Sequence, residues 1–168
     1  MKKTNKKGFT LVELLAVIVI LGVLLMIAVP AVQNVIKSSR QKAFESAAKL
    51  AIENAETMAS SYNISGSAGQ CIVFINSQEY KPAGATAAVK YKEMELERGD
   101  FGTNAIGYIL IDTKGKGTIY IQNDTYAILG KTLKDSAKLG TTASSDSTKA
   151  QAIPESGKYA VCQWVETE

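Results

Sequence analysis

Histidine is absent from the 168-residue sequence, which also has only two cysteines, one tryptophan and three prolines. The lack of histidine excludes Ser-His-Asp and Cys-His catalysis, imidazole zinc sites and histidine acid–base chemistry. Cys71 and Cys162 lie 91 positions apart, so no Cys-x-x-Cys redox or zinc motif exists. Outside a membrane the two cysteines could form a disulfide, and two buried free thiols are the alternative. We expect no cofactor and no metal site.

The formal charge of +3 is unevenly distributed along the chain. Four lysines fall within the first eight residues, MKKTNKKG, whereas the 24 residues from Phe9 to Val32 contain one charged side chain, Glu13. A helix of that length spans about 36 Å, enough to cross a hydrocarbon core of roughly 30 Å. The basic flank predicts a cytoplasmic N-terminus, with the polar remainder of the chain outside.

Three interpretations of this N-terminus compete. A secretory signal would be cut after the apolar run, near Val29-Pro30-Ala31, and a permanent anchor would not be cut at all. Both leave Glu13 unexplained, although a carboxylate inside a spanning helix costs about 2.5–3.5 kcal/mol on insertion scales.

The third interpretation explains the carboxylate. The segment Gly8–Glu13 reads GFTLVE after a short lysine-rich leader, and it resembles the class III signal of type IV prepilins. The match covers residues 2–36, and the chain is also similar to major pilins of Gram-positive anaerobes such as clostridia. The resemblance implies that a prepilin peptidase cuts between Gly8 and Phe9 and that Phe9 becomes the N-methylated N-terminus. Glu13 matches the acidic residue found five positions into mature pilins.

In that family the retained helix anchors the subunit in the membrane and later packs into the core of a filament. The resemblance implies that Glu13 pairs with the Phe9 amine of an adjacent subunit and sets the register between helices. Gly22 and Pro30 weaken the helix, so a kink or local unwinding is expected. The alternative is that membrane helices simply tolerate these two residues.

The chain is therefore divided into a leader at 1–8, an apolar helix at 9–32, an amphipathic continuation at 33–62 and a head at 63–168. The predicted fold class is α+β: a long helix, Phe9 to about Tyr62, packs on an antiparallel sheet with a loop-rich C-terminal region. The predicted strands are Cys71–Ile75, Ala105–Asp112, Thr118–Gln122, Thr125–Leu129 and Lys158–Val165.

The other groups of residues that could form a binding site have simpler structural explanations. The densest acidic group consists of Glu93, Glu95, Glu97 and Asp100. Alternate spacing could place the three glutamates on one strand face as a cation site, but the interleaved basic residues favour a solvated surface. Asp112 and Asp124 lack the regular spacing of a calcium loop. No basic stripe with interleaved aromatic residues indicates nucleic-acid binding.

We therefore predict a structural subunit, a major pilin, of an extracellular type IV pilus used in adhesion, surface motility or biofilm formation. It would have no enzymatic activity. Its partners would be other pilin subunits, the prepilin peptidase and the membrane assembly machinery. The precursor would be inserted in the cytoplasmic membrane before the subunit enters the filament. A pseudopilin or competence pilin of a secretion or DNA-uptake machine is the first alternative. A signal-anchored extracellular binding domain is the second.

Removal of the leader changes the meaning of the positive charge. The loss of four of the 19 basic residues leaves 15, against 16 acidic ones, so the side-chain balance becomes −1. The leader lysines thus indicate membrane orientation, and they say nothing of an acidic partner.

Overall fold

The structure is a computed structural model, and its first element is a long helix. Residues 9–64, 70–94, 96, 101–102, 104–135, 142–143, 154–155 and 157–162 are described. The helix α1, Leu11–Ile64, contains Pro30 and continues through it. It begins and ends two residues from its predicted bounds. The chain divides into two compact units, Met1–Arg40 and Gln41–Glu168, and α1 contributes to both.

The second half of α1 buries a stripe of small side chains. Residues three or four apart form one face of a helix, and these members are each at most 1% exposed: Ala47, Ala48, Ala51, Ile52, Ala55 and Ala59. Phe44 extends the stripe, and its ring lies 5.6 Å from that of Phe101 in an edge-on arrangement. Because alanine is small and has the highest helix propensity, this stripe favours both the helix and a close approach of the sheet.

In the part of the chain that the structure describes, the main sheet has six strands: β1 Cys71–Phe74, β4 Ile106–Ile111, β5 Gly117–Gln122, β6 Tyr126–Thr132, β7 Thr142–Ala143 and β8 Ala160–Val161. Across the sheet they lie in the order β7-β6-β5-β4-β1-β8. All neighbours are antiparallel except β8, which runs parallel to β1. A short 3₁₀ helix, Leu133–Asp135, follows β6. A long N-terminal helix packed against an antiparallel-rich sheet confirms the predicted α+β class.

Two short strands, β2 Gln78–Tyr80 and β3 Val89–Tyr91, form a separate antiparallel pair that was not predicted. Alternation along the strands gives the main sheet two apolar faces. One face joins the helix stripe through Val73, Ile109, Ile119, Ile121 and Ile128. On the other face, Tyr80 and Tyr91 of the small sheet pack with a cluster made of Ile72, Phe74, Tyr108 and Val161. Aromatic residues thus close the side of the sheet away from the helix.

The β4–β5 hairpin is fastened to the helix within the second unit. Glu56 accepts a hydrogen bond from the Gly117 N–H at 3.0 Å and lies 3.4 Å from the Lys116 ammonium. A Cβ on Gly117 would lie 2.8 Å from Cγ2 of Ile52, closer than real Cβ atoms approach other atoms. A glycine at this position therefore lets the hairpin approach α1.

Cys71 and Cys162 form a disulfide, with their Cα atoms 5.7 Å apart and both side chains 3% exposed. The backbone register brings them together, because Cys71 pairs with Ala160 across the parallel β1–β8 contact. The Cys162 N–H also donates to the Ile72 carbonyl at 3.1 Å. The structure thus contains the disulfide rather than two free thiols. The disulfide joins the first strand of the head to the residue that follows the last described strand.

Candidate functional site

The N-terminal end of α1 is closed by a pair of reciprocal hydrogen bonds. Glu13 Oε2 accepts from the backbone N–H and from the hydroxyl of Thr10, both at 2.8 Å. The Glu13 N–H donates to Thr10 Oγ1 at 3.3 Å, and the first helical bond runs from the Leu14 N–H to the Thr10 carbonyl at 3.2 Å. Thr10 is therefore the N-cap residue, and Glu13 stands three positions into the helix.

This arrangement is a capping box, in which two backbone donors that a helix leaves unsatisfied are both paired. The carboxylate of Glu13 also lies beside the positive end of the helix dipole, where negative charge is favourable. The signal for this cap, Thr-x-x-Glu before an apolar run, is present in the sequence, although the cap was not predicted. Gly8 lies outside the described residues, and Phe9 is 92% exposed.

The first half of α1 presents apolar side chains on every side. All the large apolar residues from Phe9 to Ile36 are between 46% and 92% exposed. Within the described part of the chain, this is the one helix long and apolar enough to cross a membrane. A soluble monomer rarely exposes a continuous apolar surface of this extent, so the surface indicates contact with lipid or with other protein.

Gly22 and Pro30 both lie inside this apolar half. Helical geometry continues through both residues in the single chain. An added Cβ at Gly22 would meet nothing within 4 Å, so packing within the chain does not require glycine there. Pro30 has no N–H to donate to the carbonyl four residues earlier, so the helix is weaker at this point. The expected unwinding concerns a filament and stays a prediction.

The head has an open cleft beside the β4–β5 turn, lined by Glu56, Asp112, Lys114, Lys116, Thr132, Leu133 and Lys134. Its carboxylates are engaged in holding the turn. Asp112 Oδ1 accepts from the backbone N–H groups of Lys114 and Lys116, both at 2.8 Å. Glu56 holds Gly117, as described above. These acidic side chains therefore support the local backbone.

The other acidic candidates are dispersed. Glu93 is exposed and lies outside the strands, whereas Glu95, Glu97 and Asp100 fall outside the described residues. Asp124 accepts from the Asn104 side-chain amide at 3.0 Å, away from the turn that Asp112 holds. Among the described residues, no three His, Cys, Asp or Glu side chains are grouped in a way that could hold a metal ion.

The family model of the prokaryotic N-terminal methylation motif matches the chain at residues 3–29. The matched segment contains the capped helix start and most of the exposed apolar surface. The chain carries this methylation motif. No curated protein and no solved structure gives a significant match.

The methylation motif supports a type IV pilin-like prepilin with a class III leader. The motif supports a pilin-like or a pseudopilin subunit. The motif also implies processing by a prepilin peptidase and polymerisation with other pilin-type subunits. Together with the exposed apolar helix, it indicates a membrane-anchored precursor. The α+β arrangement of the long helix and the sheet is consistent with the pilin fold.

Proposed function

We propose that the chain is a major subunit of an extracellular type IV pilus, made as a membrane-anchored precursor and cut between Gly8 and Phe9. The observation that carries this proposal is the exposed apolar surface from Phe9 to Ile36, within and just beyond the methylation motif. Burying apolar area stabilises by about 25 cal/mol per Å². Packing of this surface against neighbouring helices can therefore replace lipid contact with stable assembly.

Glu13 has two successive roles in this account. In the single chain its Oε2 atom caps its own helix through both donors of Thr10. In the filament, the carboxylate would pair with the Phe9 amine of an adjacent subunit. A buried carboxylate without a partner is costly, so this pairing selects one axial register among many that apolar packing alone would permit.

Gly22 and Pro30 would supply the flexible part of the filament core. Both residues weaken the helix, one through backbone freedom and the other through a missing hydrogen bond. We propose that the helix unwinds between them during assembly and allows the filament to extend under load. The head would lie on the filament surface, where adhesion, motility or biofilm contacts are made, and the chain itself would catalyse no reaction.

The variant Glu13→Ala tests the assembly role. We expect leader removal to continue while sheared filaments fall at least tenfold, because register selection is lost. Glu45→Ala, on the same helix but beyond the apolar surface, is the matched control and should assemble normally. Normal filament abundance in Glu13→Ala would contradict the role assigned to this carboxylate.

Filament abundance also separates the two pilin-type functions. A major pilin should dominate the protein composition of sheared filaments. If the chain is a trace component of filaments built from another subunit, it acts as a minor pilin or pseudopilin. A chain that remains in the membrane and never enters filaments would favour the anchored binding domain.

A further inference from the structure

Two cations follow directly after the exposed apolar surface. Lys37 and Arg40 are both exposed, and they are the only basic side chains between residues 9 and 40. Residues three apart lie on the same side of an α-helix, so the two side chains project from one face. The polar residues Ser38 and Ser39 separate them and are also exposed. The end of the apolar surface is therefore marked by a compact positive patch, which we call the Lys37–Arg40 patch.

The position of the patch matches the thickness of a membrane. With a rise of about 1.5 Å per residue, Lys37 lies about 39 Å along the axis from Leu11, and Arg40 lies about 44 Å from it. A bilayer with its headgroups is about 40–45 Å thick. If the start of α1 lies at the inner surface, the Lys37–Arg40 patch reaches the opposite headgroup layer.

Before leader removal, basic side chains flank the apolar helix on the inner side of the membrane. After leader removal, the first basic side chains of the chain lie on the outer side. All four lysines before the apolar surface belong to residues 1–8 and leave with the leader. The mature chain keeps its first basic side chains at Lys37 and Arg40. Lysine and arginine can extend their apolar stems along the helix while their charged ends remain in the headgroup layer. A guanidinium also binds phosphate through paired hydrogen bonds.

We propose that the Lys37–Arg40 patch binds the phosphate groups of anionic phospholipids in the outer leaflet and holds the mature subunit at a defined depth before assembly. This inference rests on the membrane-anchored stage of the proposed function and does not depend on polymerisation. Cleavage of the leader transfers electrostatic anchoring from the inner surface to the outer one. Assembly then has to remove the patch from lipid phosphate.

The test uses the full chain after leader removal, inserted in bilayers containing equal amounts of phosphatidylglycerol and phosphatidylcholine. Lipids retained by the protein are counted by native mass spectrometry. We expect the wild type to favour phosphatidylglycerol, and each neutralisation, Lys37→Gln or Arg40→Gln, to lower this preference about fivefold. That factor corresponds to roughly 1 kcal/mol for each basic residue near an anionic surface.

The matched control is Lys134→Gln in the head, which removes one charge, as each patch variant does, at an exposed position far from the patch in sequence. It should retain the wild-type lipid preference. An equal preference in the patch variants and the wild type would overturn the proposal, as would loss of preference in the control. Displacement of the retained lipid by millimolar glycerol phosphate would assign the patch to free phosphate and also overturn it.

Insertion and filament assays separate this inference from the proposed function. If the patch variants insert and retain phosphatidylglycerol but lose filaments, the patch contacts acidic groups of a neighbouring subunit, and the lipid assignment is wrong. If leader removal itself fails, the lipid comparison is made on the uncut chains. The leader contributes equally to all of them, so the proposed function fails while the lipid inference is still measured.

Discussion

The two halves of α1 form one continuous helix, yet their side chains meet opposite environments. From Phe9 to Ile36 the large apolar residues are all exposed, whereas the stripe from Ala47 to Ala59 is almost fully buried against the sheet. The buried stripe consists mainly of alanine, and the exposed half consists mainly of leucine, isoleucine and valine. The larger side chains are thus kept for a surface that the single chain does not cover, which is what a membrane anchor and filament core requires.

The largest expected contrast comes from placing the same charge in each half. Ala51→Asp buries a carboxylate at a position that is 0% exposed, and we expect a loss of about 3–5 kcal/mol or complete unfolding of the head. Ala28→Asp, at an exposed position, should leave head stability unchanged in detergent. Chemical unfolding followed by circular dichroism measures both variants. Equal destabilisation would contradict the division of the helix.

Breaking the disulfide should affect the head alone. Cys71 and Cys162 lie 91 positions apart, and cross-links that close long loops stabilise by about 2–5 kcal/mol. We expect reductant to lower the unfolding midpoint of the wild type and to have no further effect on Cys71→Ser/Cys162→Ser. A wild-type midpoint that does not respond to full reduction would show that β8 is held without the covalent link.

Glycine to alanine substitutions give opposite results in the two regions. Gly117→Ala places a Cβ against Ile52, and overpacking of this kind costs about 1–3 kcal/mol. At Gly22 the added Cβ meets nothing, and alanine favours a helix by about 0.5–1 kcal/mol. We therefore expect the head to be destabilised in the first variant and unchanged in the second. Filaments of Gly22→Ala should extend less under force if unwinding begins at that residue.

The smallest expected effect concerns Asp135 and depends on pH. Hydrogen bonds from the Thr132 backbone N–H and hydroxyl hold the pKa of this exposed carboxyl below its ordinary value. Its contribution to stability is present above the ordinary pKa of about 4 and is lost as the pH falls through the lower folded pKa. Asp135→Asn should therefore differ from the wild type in urea midpoint at neutral pH and converge with it in acid. A difference in urea midpoint that grows in acid would contradict the expected direction of the pH dependence.

The sequence patterns predicted the long helix and the strands β1, β4, β5 and β6, because each has a strong apolar or β-branched signal. They did not predict β2 and β3, whose three-residue segments QEY and VKY carry little signal of their own. The parallel pairing of β8 with β1 depends on tertiary contacts, which local sequence patterns cannot specify. The same pairing brings the two cysteines together, because it places Cys71 opposite Ala160, two residues before Cys162.

The candidate site could be predicted from the sequence more fully than the head. Phe9 and Glu13 were selected from the motif, and the geometry adds the cap that joins Glu13 to Thr10. That cap could have been predicted from Thr-x-x-Glu spacing alone. The partners of the exposed apolar surface lie beyond a single chain, so neither the sequence pattern nor one folded subunit identifies their arrangement.

Cleavage that keeps the apolar helix is tested by the N-terminus of the mature protein, determined by intact-mass analysis and terminal sequencing of cell-surface material. Our account predicts a chain that begins at N-methylated Phe9 and retains Glu13 and the whole apolar surface. A mature chain that begins at Val32, or one that still begins at Met1, would contradict the account.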